Sequence, residues 1–355
     1  MSDSTIFLLL SLVKALFVFV FAVTFVPILV ILERRLSAFI QFRIGPNRVG
    51  PMGLLQPMAD LVKLLCKEDF VPGQASKVLF WMAPSLTAIP PFLIMAFMPL
   101  APSFQVAGQE MSGVVIDSSV GLLLILALSS LTVYGITIGG WSSTSKYSLL
   151  GGLRSSAQMV SYELAMGISV LAIVCLSGTL NLSEIVANQT QFFGFDATSG
   201  NWAGWNIFAQ PVAFLVFLIA GYAETNRLPF DLPEAESELV GGYHTEYSST
   251  KFSLFFMGEY IGMLGISCLT VVLFFGGWHF PGMDRIGVPP GTFYYTLLGL
   301  AIFVAKALVF LFLFIQVRWT LPRFRFDQLM RLGWKVLLPI ALINVLITGA
   351  VVAWS

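Results

Sequence analysis

The sequence predicts an all-α integral membrane protein: eight transmembrane helices, an amphipathic interfacial helix in the first cytoplasmic loop, and both termini on the outer side. Three observations carry this prediction. Of the 355 residues, 57% are hydrophobic and only 11% charged, with 32 Phe, 13 Met and 8 Trp, and the mean hydropathy is +0.86, far from the balance of a water-soluble domain. Several nearly uncharged runs exceed the roughly 20 residues a helix needs to cross about 30 Å of hydrocarbon. The few basic residues collect in alternate loops.

Taken in order, the spans are expected near 6–32, 78–99, 118–139, 155–177, 207–226, 252–276, 293–317 and 333–354. The N-terminal stretch has no basic residue before Ile6 and its apolar run is too long for a signal peptide, so it is expected to be a retained first helix. The loops at about 33–77, 140–154, 227–251 and 318–332, with Lys335 at the edge of the last, hold sixteen of the 19 Lys and Arg. The second and fourth loops hold none, and the sixth only Arg285. Basic residues in short loops mark the cytoplasmic side. These four loops are therefore assigned there, and the chain reads as one polytopic membrane domain over 1–355.

Several chemistries are excluded. Cys66, Cys175 and Cys268 lie about a hundred residues apart without CxxC grouping, which speaks against metal clusters and a disulfide framework; they are expected in the core. His244 and His279 are isolated and read as packing or surface residues. No GxGxxG after a strand, no GxxxxGK[ST] and no HExxH occurs, so the chain carries no visible nucleotide or metal site of its own.

Between Gly53 and Glu68, the polar residues Gln56, Asp60, Lys63 and Lys67 recur at i, i+4, i+7 and i+11, with Leu54, Met58, Leu61, Val62 and Leu65 opposite. This is the pattern of an amphipathic helix. It is either a passive membrane-surface helix or one whose polar face covers an internal cavity; Asp60 favours the second, because an acidic residue gains nothing from anionic lipid. Just before it, Arg43-Ile44-Gly45-Pro46-Asn47-Arg48-Val49-Gly50-Pro51 sets two arginines in a turn-rich path fixed by Gly and Pro. Such a loop suits a polar head group or an acidic partner surface, or is simply a solvated basic loop.

The acidic residues are the most concentrated feature. Asp231, Glu234, Glu236 and Glu238 fall within eight residues, followed by Glu246. Glu163 and Glu259 interrupt apolar spans, where a carboxylate is costly unless it faces the bundle interior or water. Counted from the expected cytoplasmic ends, they share a layer roughly 10 to 12 Å deep, while Glu224 lies roughly 3 Å below the edge of the fifth span. Grouped, buried carboxylates of this kind suit proton exchange near neutral pH. The alternative is neutralisation by neighbours such as Arg154 or Arg227, but between Arg227 and Lys251 five acids face two bases. Lys306, about 17 Å into the seventh span, calls for a carboxylate or a wet cavity as partner. Lys14 is nearer the outer end of the first span, within reach of the surface.

Glu33-Arg34-Arg35-Leu36-Ser37-Ala38, the run from Arg43 to Pro57, and Ala223-Glu224-Thr225-Asn226-Arg227-Leu228-Pro229-Phe230-Asp231-Leu232-Pro233-Glu234-Ala235-Glu236 resemble the signature regions of the H-subunit family of NADH:quinone oxidoreductase (respiratory complex I), called subunit 1 in mitochondria. The likeness extends through Lys146 to Arg154 and Pro322 to Met330, so it covers essentially the whole chain. The resemblance implies a membrane subunit at the junction of the hydrophilic and proton-pumping arms of a respiratory translocase. Quinone, ubiquinone or menaquinone, would be the substrate, reached through an opening near the first span. NADH, FMN and iron–sulfur clusters would belong to partner subunits. The implied partners are the peripheral-arm quinone-site subunits, the membrane-arm subunits and the bilayer, with no nucleic acid.

By the same resemblance Glu33, Arg34, Arg43, Arg48, Asp60 and Lys63 would line or support the quinone channel. Glu163, Glu224, Asp231, Glu234, Glu236, Glu238 and Glu246 would form an acidic path to proton translocation, to which the in-span residues Glu259 and Lys306 are added. The polypeptide itself would perform no hydride transfer. Two other readings stay open: a structural anchor for the peripheral arm, and the equivalent component of a membrane-bound hydrogenase. The full Gly45 to Pro51 run favours the respiratory branch. A bacterial inner membrane is expected over a mitochondrial one, because both ends run longer than a minimal organelle-encoded version.

Overall fold

The computed structural model describes residues 3–106, 109–189, 191, 194, 204–232, 240–281, 283, 289 and 291–354; for 3–10, 106, 109 and 110 it describes the backbone only. The helices are α1 (Asp3–Ile40), α2 (Gln56–Cys66), α3 (Lys77–Ala96), α4 (Gly121–Ser142), α5 (Lys146–Ser177), α6 (Leu182–Ala187), α7 (Asn206–Ala209), α8 (Pro211–Glu224), α9 (Ser249–Phe274), α10 (Phe293–Thr320), α11 (Phe326–Arg331) and α12 (Leu338–Trp354). A π-helical turn, Leu332–Leu337, joins the last two. Between α3 and α4 the chain makes a small antiparallel ribbon of β1 (Phe104–Val106) and β2 (Gln109–Met111), with Gln105 opposite Glu110.

Among the described residues, seven helices are long and apolar enough to cross a membrane: Ser11–Ile40, Lys77–Ala96, Gly121–Ser142, Lys146–Ser177, Ser249–Phe274, Phe293–Thr320 and Phe326–Trp354. The expected fifth span is shorter than predicted. Its residues divide between the single turn α7 and the 14-residue α8, which at about 1.5 Å per residue reaches roughly 21 Å. Pro211 and the bent backbone of Gln210 separate the two.

Other boundaries move outward. α1 runs on to Ile40, so Glu33 and Arg34 sit on a helix rather than in a loop, and α5 begins at Lys146, so Arg154 is helical too. Hydropathy registers only the segment that lipid covers, whereas the backbone stays helical as long as its hydrogen bonds continue. The amphipathic helix forms over Gln56–Cys66, and none of its residues is fully buried.

α9 is the hub of the bundle: 78% of its most apolar stretch is buried, against 17% for the last span. Aromatic rings fill the space around it. Phe214 meets Phe274 and Phe310 edge-on at 5.4 and 6.3 Å, and Tyr222 stacks on Phe314 at 3.9 Å. Of the three cysteines only Cys268 is in the core; Cys66 is exposed at the end of α2 and Cys175 is half-buried, correcting the expectation that all are core residues.

Small residues let α3, α4 and α9 approach. A Cβ on Gly135 of α4 would lie 2.2 Å from Thr87 Oγ1 and 2.7 Å from the Thr87 nitrogen, and one on Gly258 of α9 would lie 2.9 Å from the Thr87 carbonyl. Without a hydrophobic drive between helices in lipid, this close approach is what holds the crossing. Gly135→Val is expected to destabilise the bundle by about 1–3 kcal/mol through overpacking, read as an earlier thermal unfolding transition in detergent. Gly167→Ala, on α5 with nothing within 4 Å, should leave that transition in place.

Candidate functional site

The first element of the site is an ion network assembled from four separate segments. Glu33 of α1 is buried, and its Oε1 accepts from Arg227 at 3.2 Å and also pairs with Arg318 of α10. Its Oε2 accepts from the Tyr260 hydroxyl at 2.6 Å. Arg227, just beyond α8, places Nε 2.6 Å from Glu259 Oε1 on α9, without the alignment of a hydrogen bond, and its guanidinium lies 4.4 Å from the Tyr260 ring centre. Burial opposes the charge on Arg227, but Glu259, Tyr260 and Glu33 more than offset it and hold the guanidinium protonated.

This network forms the inner wall of an open cleft of about 560 Å³, bounded elsewhere by Arg34, Gln41, Arg43, Phe256 and Trp319. Of the residues expected at a channel, Glu33, Arg34 and Arg43 line the cleft. Asp60 stands behind Arg34 at 2.6 Å and accepts from Gln56 at 3.2 Å, while Lys63 is 4.0 Å from Asp60. The polar face of α2 therefore faces the cleft mouth through Gln56. Arg48 is exposed and does not line it.

A second, smaller cavity of about 70 Å³ lies among α3, α4, α5, α8 and α9, with Glu224, Glu259, Ser129, Thr132, Thr225 and Asn226 among its polar walls. It has room for more than one water molecule. Glu259 lines both spaces. At the far side, Ser130 of α4 donates to Glu163, while its neighbour Ser129, which donates to the Leu126 carbonyl at 2.9 Å, lines the cavity with Glu224. Glu224 Oε2 has no hydrogen-bond partner among the described residues.

Starting from the cleft, Glu259 is the first carboxylate, Glu224 stands across the cavity from it and Glu163 lies beyond. α5 starts nine residues before the span expected there. The expected neutralisers are also reassigned. Arg227 pairs with Glu33 and Glu259, Lys251 pairs with Asp69 at 2.9 Å, and Asp231 is met at 3.0 Å by Arg323 from the segment after α10. Glu246 is half-buried beyond the turn Gly242–His244. Glu234, Glu236 and Glu238 lie outside the described residues.

Among the described residues Lys306 meets no carboxylate. Its Nζ donates to the carbonyls of Phe275, Gly277 and His279 at 2.6, 3.0 and 2.6 Å, beside the Trp205 ring at 4.8 Å. It thereby ties down the turn that follows α9, whose carbonyls have left the helical ladder. Lys14 likewise turns to the carbonyls of Ser112 and Val114 at 3.2 and 3.1 Å.

Sequence reasoning missed Tyr260, Arg318 and the Ser129-Ser130 pair as site residues. Tyr260 had one available signal, its place beside Glu259. Arg318 was visible only as one basic residue among many at the loop.

Fold and site together define a polytopic helical membrane protein in which a charged cleft at one end of the bundle meets a row of half-buried carboxylates. A family model described as NADH dehydrogenase matches residues 13–349. The NADH-quinone oxidoreductase H subunit 1 of Geobacter metallireducens is 50% identical over 340 residues, 96% of this chain and 95% of the relative. The corresponding H subunit 2 of Geobacter sulfurreducens is 51% identical over 336 residues, 95% and 94% of the two chains. NADH-quinone oxidoreductase subunit 8 of Rhodothermus marinus is 50% identical over 333 residues, 92% of each. The chain belongs to the NADH dehydrogenase family of NADH-quinone oxidoreductase membrane subunits, the H-subunit family of complex I.

Removing Arg227 would strand two carboxylates in a low-dielectric site, at a cost of about 3–5 kcal/mol. Arg227→Met is therefore expected to lower thermal stability of the purified complex sharply. Tyr260→Phe, which removes one neutral donor, should cost about 1–2 kcal/mol in the same melt.

Proposed function

We propose that this chain forms much of the quinone-access channel of a proton-translocating NADH:quinone oxidoreductase, together with an acidic path that couples quinone reduction to proton translocation. The observation that carries the reading is Glu259, which faces the cleft on one side and the carboxylate-lined cavity on the other. The cleft suits a quinone head group. It offers donors from Arg34, Arg43 and Arg318 against the rings of Phe256 and Trp319, a mixture of greasy walls and a few convergent polar groups.

Reduction of a quinone consumes protons beside the Glu33–Arg227–Glu259 network. Withdrawing charge there alters the balance that Arg227 shares between two carboxylates, and the change passes to Glu224 and then Glu163 across the cavity. Asp231, held by Arg323, extends the acidic row on the cytoplasmic side toward Glu246, with Glu234, Glu236 and Glu238 between them in sequence. The electron carriers NADH, FMN and iron–sulfur clusters belong to peripheral-arm partners, so this chain moves protons and guides quinone.

In the same reading the chain is one polytopic domain in a bacterial inner membrane. α7 and α8 together supply an eighth crossing, short because partner or neighbouring helices shield its ends, and both termini lie on the outer side. The segregation of sixteen of 19 basic residues supports that orientation.

Glu163→Gln and Glu224→Gln in the assembled complex are expected to lower NADH:quinone turnover and proton uptake together, each by roughly tenfold or more. Full turnover with full pumping in both variants would sink the carboxylate path. Arg43→Ala is expected to impair quinone reduction in a complex that still assembles; normal turnover accompanied by poor assembly would make that loop a docking element instead.

A further inference from the structure

α2 supplies Gln56 to the mouth of the cleft and Asp60 to Arg34 beside it, yet no residue of it is fully buried. Packing alone does not hold it. At its N-terminal side Asp60 is tied to Arg34. At its C-terminal side the following chain, 64–70, is gripped by successive side chains at the start of α9. Ser249 Oγ donates to the Leu64 carbonyl at 3.0 Å, and Ser248 Oγ donates to the Glu68 carbonyl at 2.9 Å and accepts from the Phe70 amide at 3.4 Å. Lys251 Nζ lies 2.9 Å from Asp69 Oδ1.

Each of these choices works against α9 itself. Ser248 is the N-cap residue and makes no side-chain bond to its own helix, forgoing the usual serine cap. Ser249 adopts φ 55°, a left-handed conformation costly for a residue with a side chain. Lys251 puts a cation in the first turn of a helix, where the dipole disfavours it, and is completely buried, its ammonium 4.1 Å from the Trp81 ring and 5.1 Å from Phe80. Tyr247 stacks on Phe80 at 4.0 Å and closes the far side of that ring. A buried ammonium needs a carboxylate, and Asp69, with a side chain one-third exposed, supplies it.

We propose that Lys251 is a positioning residue: with Ser248 and Ser249 it latches the chain after α2 to α9 through Asp69, and so holds Gln56 and Asp60 at the cleft mouth. The assignment of substrate to that cleft rests on the quinone reading above. The latch itself does not.

The test uses the assembled complex carrying Lys251→Met, Lys251→Arg, or Lys251→Met with Asp69→Asn. Hydrogen exchange of the 56–70 amides is followed alongside turnover with a short-chain quinone. Lys251→Met is expected to speed exchange in that segment by roughly tenfold or more and to raise the quinone KM several-fold while kcat stays within about twofold. Lys251→Arg should restore both, and Asp69→Asn should add nothing to Lys251→Met. Unchanged exchange in 56–70 overturns the latch whatever the kinetics. Faster exchange with an unchanged KM upholds the latch and removes the quinone assignment of the cleft. If Lys251→Met fails to assemble, Ser248→Ala, which strands no charge, is expected to speed the same exchange by about threefold; no change there overturns the latch.

Discussion

The arginine shared by two buried carboxylates is the interaction on which the working end of this molecule depends. In a low-dielectric interior, ionised side chains persist only when opposite charges and hydrogen-bond donors meet them in good geometry. Glu33, Arg227, Glu259, Tyr260 and Arg318 bring those charges and donors together from α1, the turn after α8, α9 and α10, although Arg227 Nε meets Glu259 as an ion pair without hydrogen-bond alignment. The demand to pair these charges therefore sets how the helices converge, and the cleft is the space left on the solvent side of the convergence.

The same network determines what the cleft can do. Its inner wall is also the outer wall of the carboxylate cavity, since Glu259 belongs to both. Beyond Glu259 the surroundings change character: Glu163 accepts from the Ser130 hydroxyl, and Glu224 Oε2 has no hydrogen-bond partner among the described residues.

The opposite end of α9 meets a different need. There the chain leaves the helix inside the bundle, and its last carbonyls would be unpaired in an apolar setting. Gln189 donates to Val272, Asn206 to Leu273, and Lys306 to three carbonyls beyond. Lys306 illustrates how a charged residue in a span can answer a backbone requirement. Its length and three donors suit it to close a helix end, and the same chemistry would be invisible to any search for charge partners along the sequence.

Much of the architecture was legible beforehand because it depends on local chemistry. Long apolar runs have to be helices in lipid, the spacing of Gln56, Asp60 and Lys63 has to make an amphipathic helix, and Glu163 and Glu259 in apolar surroundings have to face the interior. The helix ends were less legible. Charged residues such as Arg34 and Arg154 look like loop residues to hydropathy, although the backbone around them continues to hydrogen-bond as helix. Family membership was also legible, since it resides in contiguous motifs. By itself, then, the sequence determined the class of protein, its amphipathic helix and which carboxylates stand in apolar spans, because each follows from the free energy of a short segment in lipid or at its surface. Only the tertiary structure decided who pairs with whom: Glu33 meets Arg227, Tyr260 and Arg318 across 194, 227 and 285 residues. It also decided that Glu259 lines both the cleft and the cavity, and that Lys306 donates to three backbone carbonyls. The reason is physical. Pairing energy inside a membrane is set by distances of a few ångströms between distant segments, and no local property of the chain specifies those distances.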